Sequence, residues 1–219
     1  AKKCKLLTAV VVATDDKRIE IAVNKFKGKV VMTSSKHESG TDRCYEALKK
    51  MPEKFDVIIN IQGDEPFIRP EQIAKVANCF LTSHQGKKQR SEVQIATVVM
   101  KMNHPSELKN HNIVKVIVNK KREALYFSRT AIPYYRGKHC SEWLNFHIYY
   151  KHVGIYGYRS DILAEITKLK CSSLEVAESL EQLRWLENGY KINIEITNKE
   201  SYPIDTPEDL KNVLKKNSK

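Results

Sequence analysis

No apolar run in this sequence approaches the roughly 18 residues that a membrane-spanning helix needs; the longest are strand-sized. Nothing at the start reads as a secretory leader, because Ala1-Lys2-Lys3-Cys4-Lys5 leads into a short apolar stretch without a cleavage site. Cysteine is scattered: Cys4, Cys44, Cys79, Cys140 and Cys171 are odd in number and include no CxxC pair. That pattern suggests neither a zinc site nor a disulfide framework, and it fits free thiols in a reducing cytoplasm. Internal repeats and low-complexity segments are also missing. What remains is a chain of 219 residues, 41% hydrophobic and 29% charged. Such a chain can bury a substantial core as one domain, or as one domain with a small lobe.

The unusual bulk property is a formal net charge of +12. Excess lysine suits nucleic acid, an anionic surface or a polyanionic small substrate such as a nucleoside triphosphate. The lysines are spread thinly rather than gathered into one block, which reads as a solvated surface.

Strand-like and helix-like segments alternate, the pattern of an α/β sheet. The run 6–13 (LLTAVVVA) ends in Thr14-Asp15-Asp16, as a buried parallel strand does when it opens onto a polar loop. Helical spacing follows at Ile19, Ala22, Val23 and Phe26, then a short strand at 29–32 and a turn at Ser39-Gly40-Thr41-Asp42, with Thr41 placed to cap the next helix. A third strand at 55–61 runs into Gln62-Gly63-Asp64-Glu65-Pro66, and a helix follows Pro70. The polar stretch 83–91 reads as an exposed loop before a strand at 92–100.

From about Asn112 the texture becomes antiparallel, with strands at 113–118, 124–127 and 147–158. The domain reading is therefore an α/β core over 1–111, an antiparallel β lobe over 112–158, and a return to the core over 159–219. The lobe's aromatics (Tyr134, Tyr135, Trp143, Phe146, Tyr149, Tyr150) suit either a partner subunit or an internal core. Spacing predicts helices over 160–168 and 175–188, the latter stopped by Gly189, then a strand at 191–197 and a closing helix at 207–216.

The segment Asn60 to Pro66 carries the clearest chemistry. A buried strand ending in Gly-Asp-Glu-Pro delivers a carboxylate to the carboxyl edge of a sheet, where open α/β folds bind ligands. Magnesium on a triphosphate takes one or two protein carboxylates and leaves its other positions to water and phosphate oxygens, a need Asp64 meets. Asp205, in Ile204-Asp205-Thr206-Pro207-Glu208-Asp209, is a second candidate, although that pattern is also a good helix cap. Ser39-Gly40-Thr41-Asp42-Arg43 supplies hydroxyls and a fixed cation for a base or phosphate. His152, Tyr156, Arg129, Arg136, Glu181 and Gln182 are groups of the kind that bind a carboxylated polyol, and each has an ordinary structural alternative.

These runs resemble the 3-deoxy-manno-octulosonate cytidylyltransferase family. The matching segments are 11–15, 31–33 with 39–43, 60–66, 125–129 leading to Ile132-Pro133, 152–158, 178–184 and 205–209, in family order over nearly the whole chain. The resemblance implies a Rossmann-like three-layer nucleotidyltransferase sheet with a small antiparallel β lobe, and a cytoplasmic homodimer. The implied reaction transfers CMP from CTP to 3-deoxy-D-manno-octulosonate (Kdo), forming CMP-Kdo and pyrophosphate for lipopolysaccharide assembly. It implies Asp64 and Asp205 as catalytic Mg²⁺ ligands. Gln62, Arg129, Arg136, His152, Tyr156, Glu181 and Gln182 would line the sugar pocket, with Ser39, Gly40 and Arg43 on the nucleotide side. Members of the family begin with a buried strand and an Arg-, Ser-, Gly- and Lys-rich loop around the triphosphate. This sequence opens at a point that aligns inside the first helix, so roughly 30 residues of a longer protein are expected before Ala1. A related acylneuraminate cytidylyltransferase and a non-catalytic basic nucleotide- or nucleic-acid-binding protein on the same fold are the alternatives.

Overall fold

The computed structural model describes residues 1–81, 83–84, 87–88, 92–199, 204 and 211. Short β-branched runs alternate with helices whose starts are chemically marked. β1 (Val11–Thr14) leads through Asp16, whose carboxylate accepts the Arg18 N–H, into α1 (Lys17–Lys25) and β2 (Lys29–Met32). α2 (Gly40–Lys50) is capped by Ser39, whose Oγ accepts the Asp42 N–H, rather than by the expected Thr41. β3 (Val57–Ile61) and α3 (Pro70–Asn78) follow, the helix opened by a proline that loses nothing at a first-turn position. Within the stretch expected to be a loop, β4 (Ser83–His84) and β5 (Lys87–Lys88) form a minimal antiparallel pair.

The second half runs through β6 (Ile95–Lys101), α4 (Pro105–Lys109), β7 (Lys115–Val118) and β8 (Ala124–Ser128). A 3₁₀ turn at Cys140–Asn145 precedes β9 (Tyr150–Arg159). α5 (Ser160–Ile166), α6 (Ser173–Glu178), α7 (Gln182–Glu187) and β10 (Ile192–Thr197) complete the described elements. The closing helix expected over 207–216 falls outside the described residues except for Lys211.

β1 and β2 form a parallel pair of their own. The main sheet has the order β10-β6-β9-β7-β8, with β3 also on β9. β10 is parallel to β6, whereas β9 is antiparallel to β3, β6 and β7. One edge of β9 serves two partners in succession: its C-terminal half pairs with β3 and its first residues with β7. The stretch 112–158 is thus antiparallel, as its texture implies, but its longest strand is a central member of the main sheet rather than part of a separate one.

Alternation along β6 feeds two layers. Ala96 and Val98 face α3, where Ile73, Val76 and Phe80 pack with Val153 and Ile155. Ile95 and Val99 face the opposite layer, with Tyr158, Leu163, Leu183 and Trp185. Each fully buried aliphatic side chain contributes about 1.5–3 kcal/mol. Gly157 sets how closely α3 approaches, since a Cβ there would lie 2.6 Å from Val76 Cγ1 and 2.7 Å from Phe80 Cε2. A satellite core of Met102, Leu108, Trp143 and Tyr149 sits under the 3₁₀ turn. The lobe's aromatics therefore divide: Trp143 and Tyr149 are core, while Tyr134 and Phe146 are exposed.

Candidate active site

The site forms where β9 changes partner. Asn60 lies opposite Tyr156 in the β3–β9 ladder and Ile61 opposite Ile155, so Gln62 comes off the end of β3 level with Gly154. Gly154 leaves room for what β3 delivers, because a Cβ there would touch the Glu65 side chain at 3.4 Å and Gln62 Cγ at 3.8 Å. On the other edge of β9 the ladder slips between Thr97 and Val98, placing Gly154 and Ile155 in a bulge. Bulges re-aim side chains beside functional sites.

The N-terminus of α2 closes over the same strand end. A Cβ on Gly40 would sit 3.4 Å from both Asn60 Nδ2 and Gln62 Oε1, which puts the start of α2 in contact range of the end of β3. Thr41 Oγ1 donates to Glu181 Oε2 at 2.8 Å, joining residues 140 positions apart. Glu181 can reach Thr41 because the single helix expected over 175–188 is two, α6 and α7. Ser179 breaks it in the left-handed region at φ 51°, and Glu181 stands just before the second piece with its carboxylate not used as a cap. Burial raises the Glu181 pKa, opposed by hydrogen bonds from Thr41 and Ser39. Arg43 spans the other side, donating to Thr33 Oγ1 at 2.7 Å and pairing with Asp15 Oδ1 at 3.0 Å. It therefore clasps the carboxyl ends of β1 and β2.

His152 and Tyr156 stand on β9 with ring centroids 5.0 Å apart, and Phe127 meets His152 edge-on. Tyr156 is buried, and its hydroxyl has no hydrogen-bond partner among the described residues. The pKa of His152 is pushed down to about 3 by burial. This has a sign: below about pH 6.5 an unfolded chain takes up a proton that the folded His152 refuses until about pH 3, so stability falls as pH drops through that window. Comparing urea unfolding of the wild type and His152→Gln between pH 7 and 5, we expect the wild type to lose roughly 1–2 kcal/mol more than the variant. Parallel pH curves would show that the ring titrates normally.

Arg129 is partly committed. Its Nε donates to the Glu178 carbonyl at 2.7 Å, and its terminal nitrogens donate to the His111 and Ser179 carbonyls at 3.2 Å each. A guanidinium has five N–H donors, so these three bonds aim the group and leave two for a ligand. Gln182 begins α7 and is buried beside Glu181. Arg136 is exposed on the loop between β8 and β9, and no described contact ties it to the other candidates.

Asp64 lies in the turn after β3, exposed, and its carbonyl accepts the Ile204 N–H at 2.8 Å. Asp205, the next residue along, lies outside the described residues. Among the described residues no group of three or more His, Cys, Asp or Glu is placed to hold a metal. An exposed carboxylate at a strand end nonetheless suits Mg²⁺, which prefers oxygen donors and needs few of them from protein.

Several structural partners were not singled out from sequence. Thr97, fully buried, is the one polar side chain in the run Ile95–Met100, and that solitary position is its signal. Glu178 accepts from Ser128 Oγ and the Arg129 N–H, and its signal is lost among ordinary surface glutamates. Lys115, a lysine between Val114 and Val116, is fully buried and donates to the Asn110, Ile113 and Arg129 carbonyls.

Residues 1–194 match the family model described as cytidylyltransferase. A 3-deoxy-manno-octulosonate cytidylyltransferase of Parabacteroides distasonis is 56% identical over 213 residues, 95% of this chain and 82% of that protein. Its counterpart in Bacteroides thetaiotaomicron is 54% identical, covering 94% of this chain and 80% of that one. The solved structure of a CMP:2-keto-3-deoxy-manno-octonic acid synthetase complexed with CTP superposes with a TM-score of 0.83 at 40% identity, over 97% of this chain and 81% of that one. A 4-diphosphocytidyl-2C-methyl-D-erythritol synthase from Anaerococcus prevotii, at TM-score 0.59 and 11% identity, shares the fold alone. Strand-end geometry, family model and relatives agree, and the chain belongs to the 3-deoxy-manno-octulosonate cytidylyltransferases.

Proposed function

We propose that the protein transfers CMP from CTP to Kdo, releasing pyrophosphate and forming CMP-Kdo for lipopolysaccharide assembly in the cytoplasm. The observation that carries this reading is the convergence of Gln62, Glu181, His152 and Tyr156 on the carboxyl end of β3, beside the N-terminus of α2. The anomeric hydroxyl oxygen attacks the α-phosphorus in line, its proton is released, and the bond to the β-phosphate oxygen breaks. Such a transfer needs no protein nucleophile, only positioning and charge neutralisation.

When bound, Mg²⁺ offsets negative charge on the phosphate oxygens, and Asp64 and Asp205 are its proposed protein ligands. Ser39, Gly40 and Arg43 form the nucleotide side. The two uncommitted N–H groups of Arg129, with Arg136, suit the sugar carboxylate, because a guanidinium fork matches a carboxylate. Gln62, His152, Tyr156, Glu181 and Gln182 suit the polyol. With the intact protein, CTP, Kdo and Mg²⁺, pyrophosphate should be released, whereas N-acetylneuraminate in place of Kdo should release little. Equal turnover of both sugars would move the protein to the acylneuraminate enzymes, and no release with either would end the reading.

A homodimer is part of the proposal. A cleft of about 590 Å³ beside β7 and the start of β9 is lined by Val116, Ile132, Phe146 and Ile148 among others, and the last two are 48% and 51% exposed. Exposed apolar surface of this kind suits a subunit interface. Ile148→Glu should shift the sedimentation of the intact protein from dimer to monomer; an unchanged dimer would place the interface elsewhere.

A further inference from the structure

Thr97 is wholly buried in a strand that is otherwise apolar from Ile95 to Met100, and its hydroxyl has two neighbours. One is the carbonyl oxygen of Ile155, in the β9 bulge, at 2.6 Å. The other is His152 Nε2 at 3.0 Å. A hydroxyl has one proton, and a carbonyl oxygen can only accept, so the Thr97 proton must go to Ile155. The contact to His152 then has no proton left on the threonine side. It is a hydrogen bond only if His152 Nε2 carries the proton and donates it. A largely buried imidazole among Phe127, Tyr156 and Thr97 stays neutral, so its remaining nitrogen, Nδ1, holds a lone pair.

We propose that Thr97 is a positioning residue that holds the His152 proton on Nε2 and so makes Nδ1 an acceptor, matching His152 to a hydroxyl of the polyol substrate and not to its carboxylate. This rests on the reading of β9 as a wall of the sugar site. An acceptor nitrogen facing a carboxylate has no proton to share and is repelled by it, whereas it takes a sugar O–H directly. The division of labour follows: the carboxylate falls to the arginines, and His152 reads the hydroxyl pattern. Thr97 touches neither substrate and acts only through the ring and the bulge it ties down.

The test has a spectroscopic and a kinetic arm, both on the intact protein. Histidine ¹⁵N spectra, with the His152 signals assigned by comparison with His152→Gln, should show a protonated Nε2 and an unprotonated Nδ1 in the wild type. Thr97→Val keeps the shape but removes the hydroxyl, and should give a mixture of tautomers; Thr97→Ser should restore the wild-type spectrum. In the assay, Thr97→Val should raise the KM for Kdo roughly tenfold, the loss of one good hydrogen bond, with the KM for CTP within about twofold. Thr97→Ser should return the KM for Kdo to within about threefold of wild type. A wild-type ring protonated on Nδ1 overturns the inference whatever the activity. So does a Thr97→Val enzyme whose two KM values rise together, or a Thr97→Ser enzyme no better than Thr97→Val. If Thr97→Val does not fold, the wild-type spectrum and the Thr97→Ser kinetics still decide. Absence of turnover in a wild type with the expected tautomer would instead count against the function and leave the Thr97 assignment standing.

Discussion

Asp64→Asn should lower turnover with CTP and Kdo by roughly a thousandfold or more, because neutralising charge on transferring phosphates is worth several kcal/mol and each 1.4 kcal/mol is a factor of ten. The same change should leave thermal unfolding within about 2 °C of wild type, since exposed substitutions away from packed groups stay within about 0.5 kcal/mol. Asp64 is exposed in the turn after β3, and the Ile204 N–H donates to its backbone carbonyl, which asparagine keeps. Raising Mg²⁺ should recover part of the lost rate, because an amide oxygen still binds the ion weakly. A variant with near-normal turnover would remove Asp64 from the proposed metal site. Loss of cooperative unfolding would make it a structural residue.

Lys115→Ala should be the most destabilising single change at a polar position, costing about 3–5 kcal/mol in urea unfolding and roughly 10 °C in Tm. The ammonium is fully buried, and its three hydrogen bonds go to the carbonyls of Asn110, Ile113 and Arg129 at 2.7, 2.9 and 2.6 Å. Removing it takes a donor from three carbonyls where water does not reach; that of Asn110 still accepts the Ile113 N–H at 3.2 Å, and each buried group left unsatisfied costs about 1–3 kcal/mol. Burial lowers the pKa of Lys115, with nearby Glu178 acting against it. Lys115→Met separates volume from polarity: it refills the space but supplies no proton, so it should recover only a small part of the loss. A methionine variant as stable as wild type would show that the carbonyls find other donors. Because Lys115 pins the Arg129 carbonyl while Arg129 reaches back to His111, the alanine variant should also raise the KM for Kdo more than the KM for CTP.

The α/β alternation, the strand running to Ile61 and the turn at Asp64 were legible because each is local. A buried β-branched run, a polar stop and a marked helix start lie within a few residues of one another. The family followed from ordered motifs spread over nearly the whole chain. What sequence did not reveal depends on distance or on a single backbone angle. Nothing near residue 41 says that Thr41 leaves capping to Ser39 and reaches Glu181, because that partner arrives 140 residues later. Apolar spacing ran unbroken across Ser179, and one residue at φ 51° was enough to split the helix and present Glu181. Likewise the antiparallel texture after Asn112 was readable, while the pairing of β9 with β3 and β6 belongs to the assembled sheet.

The double partnership of β9 also orders events during synthesis. β3 and β6 are made roughly 55 to 100 residues before the strand that joins them, and both face an unfilled lane until residues 150–159 leave the ribosome. Until then their edges are open to mispairing, the hazard that long-range sheets carry as they grow. The wall bearing His152 and Tyr156 and the strand that joins β3 to β6 are one segment, so the nascent chain gains its proposed sugar-facing surface in the same step that fills the gap between those strands, and the other edge of β6 waits for β10.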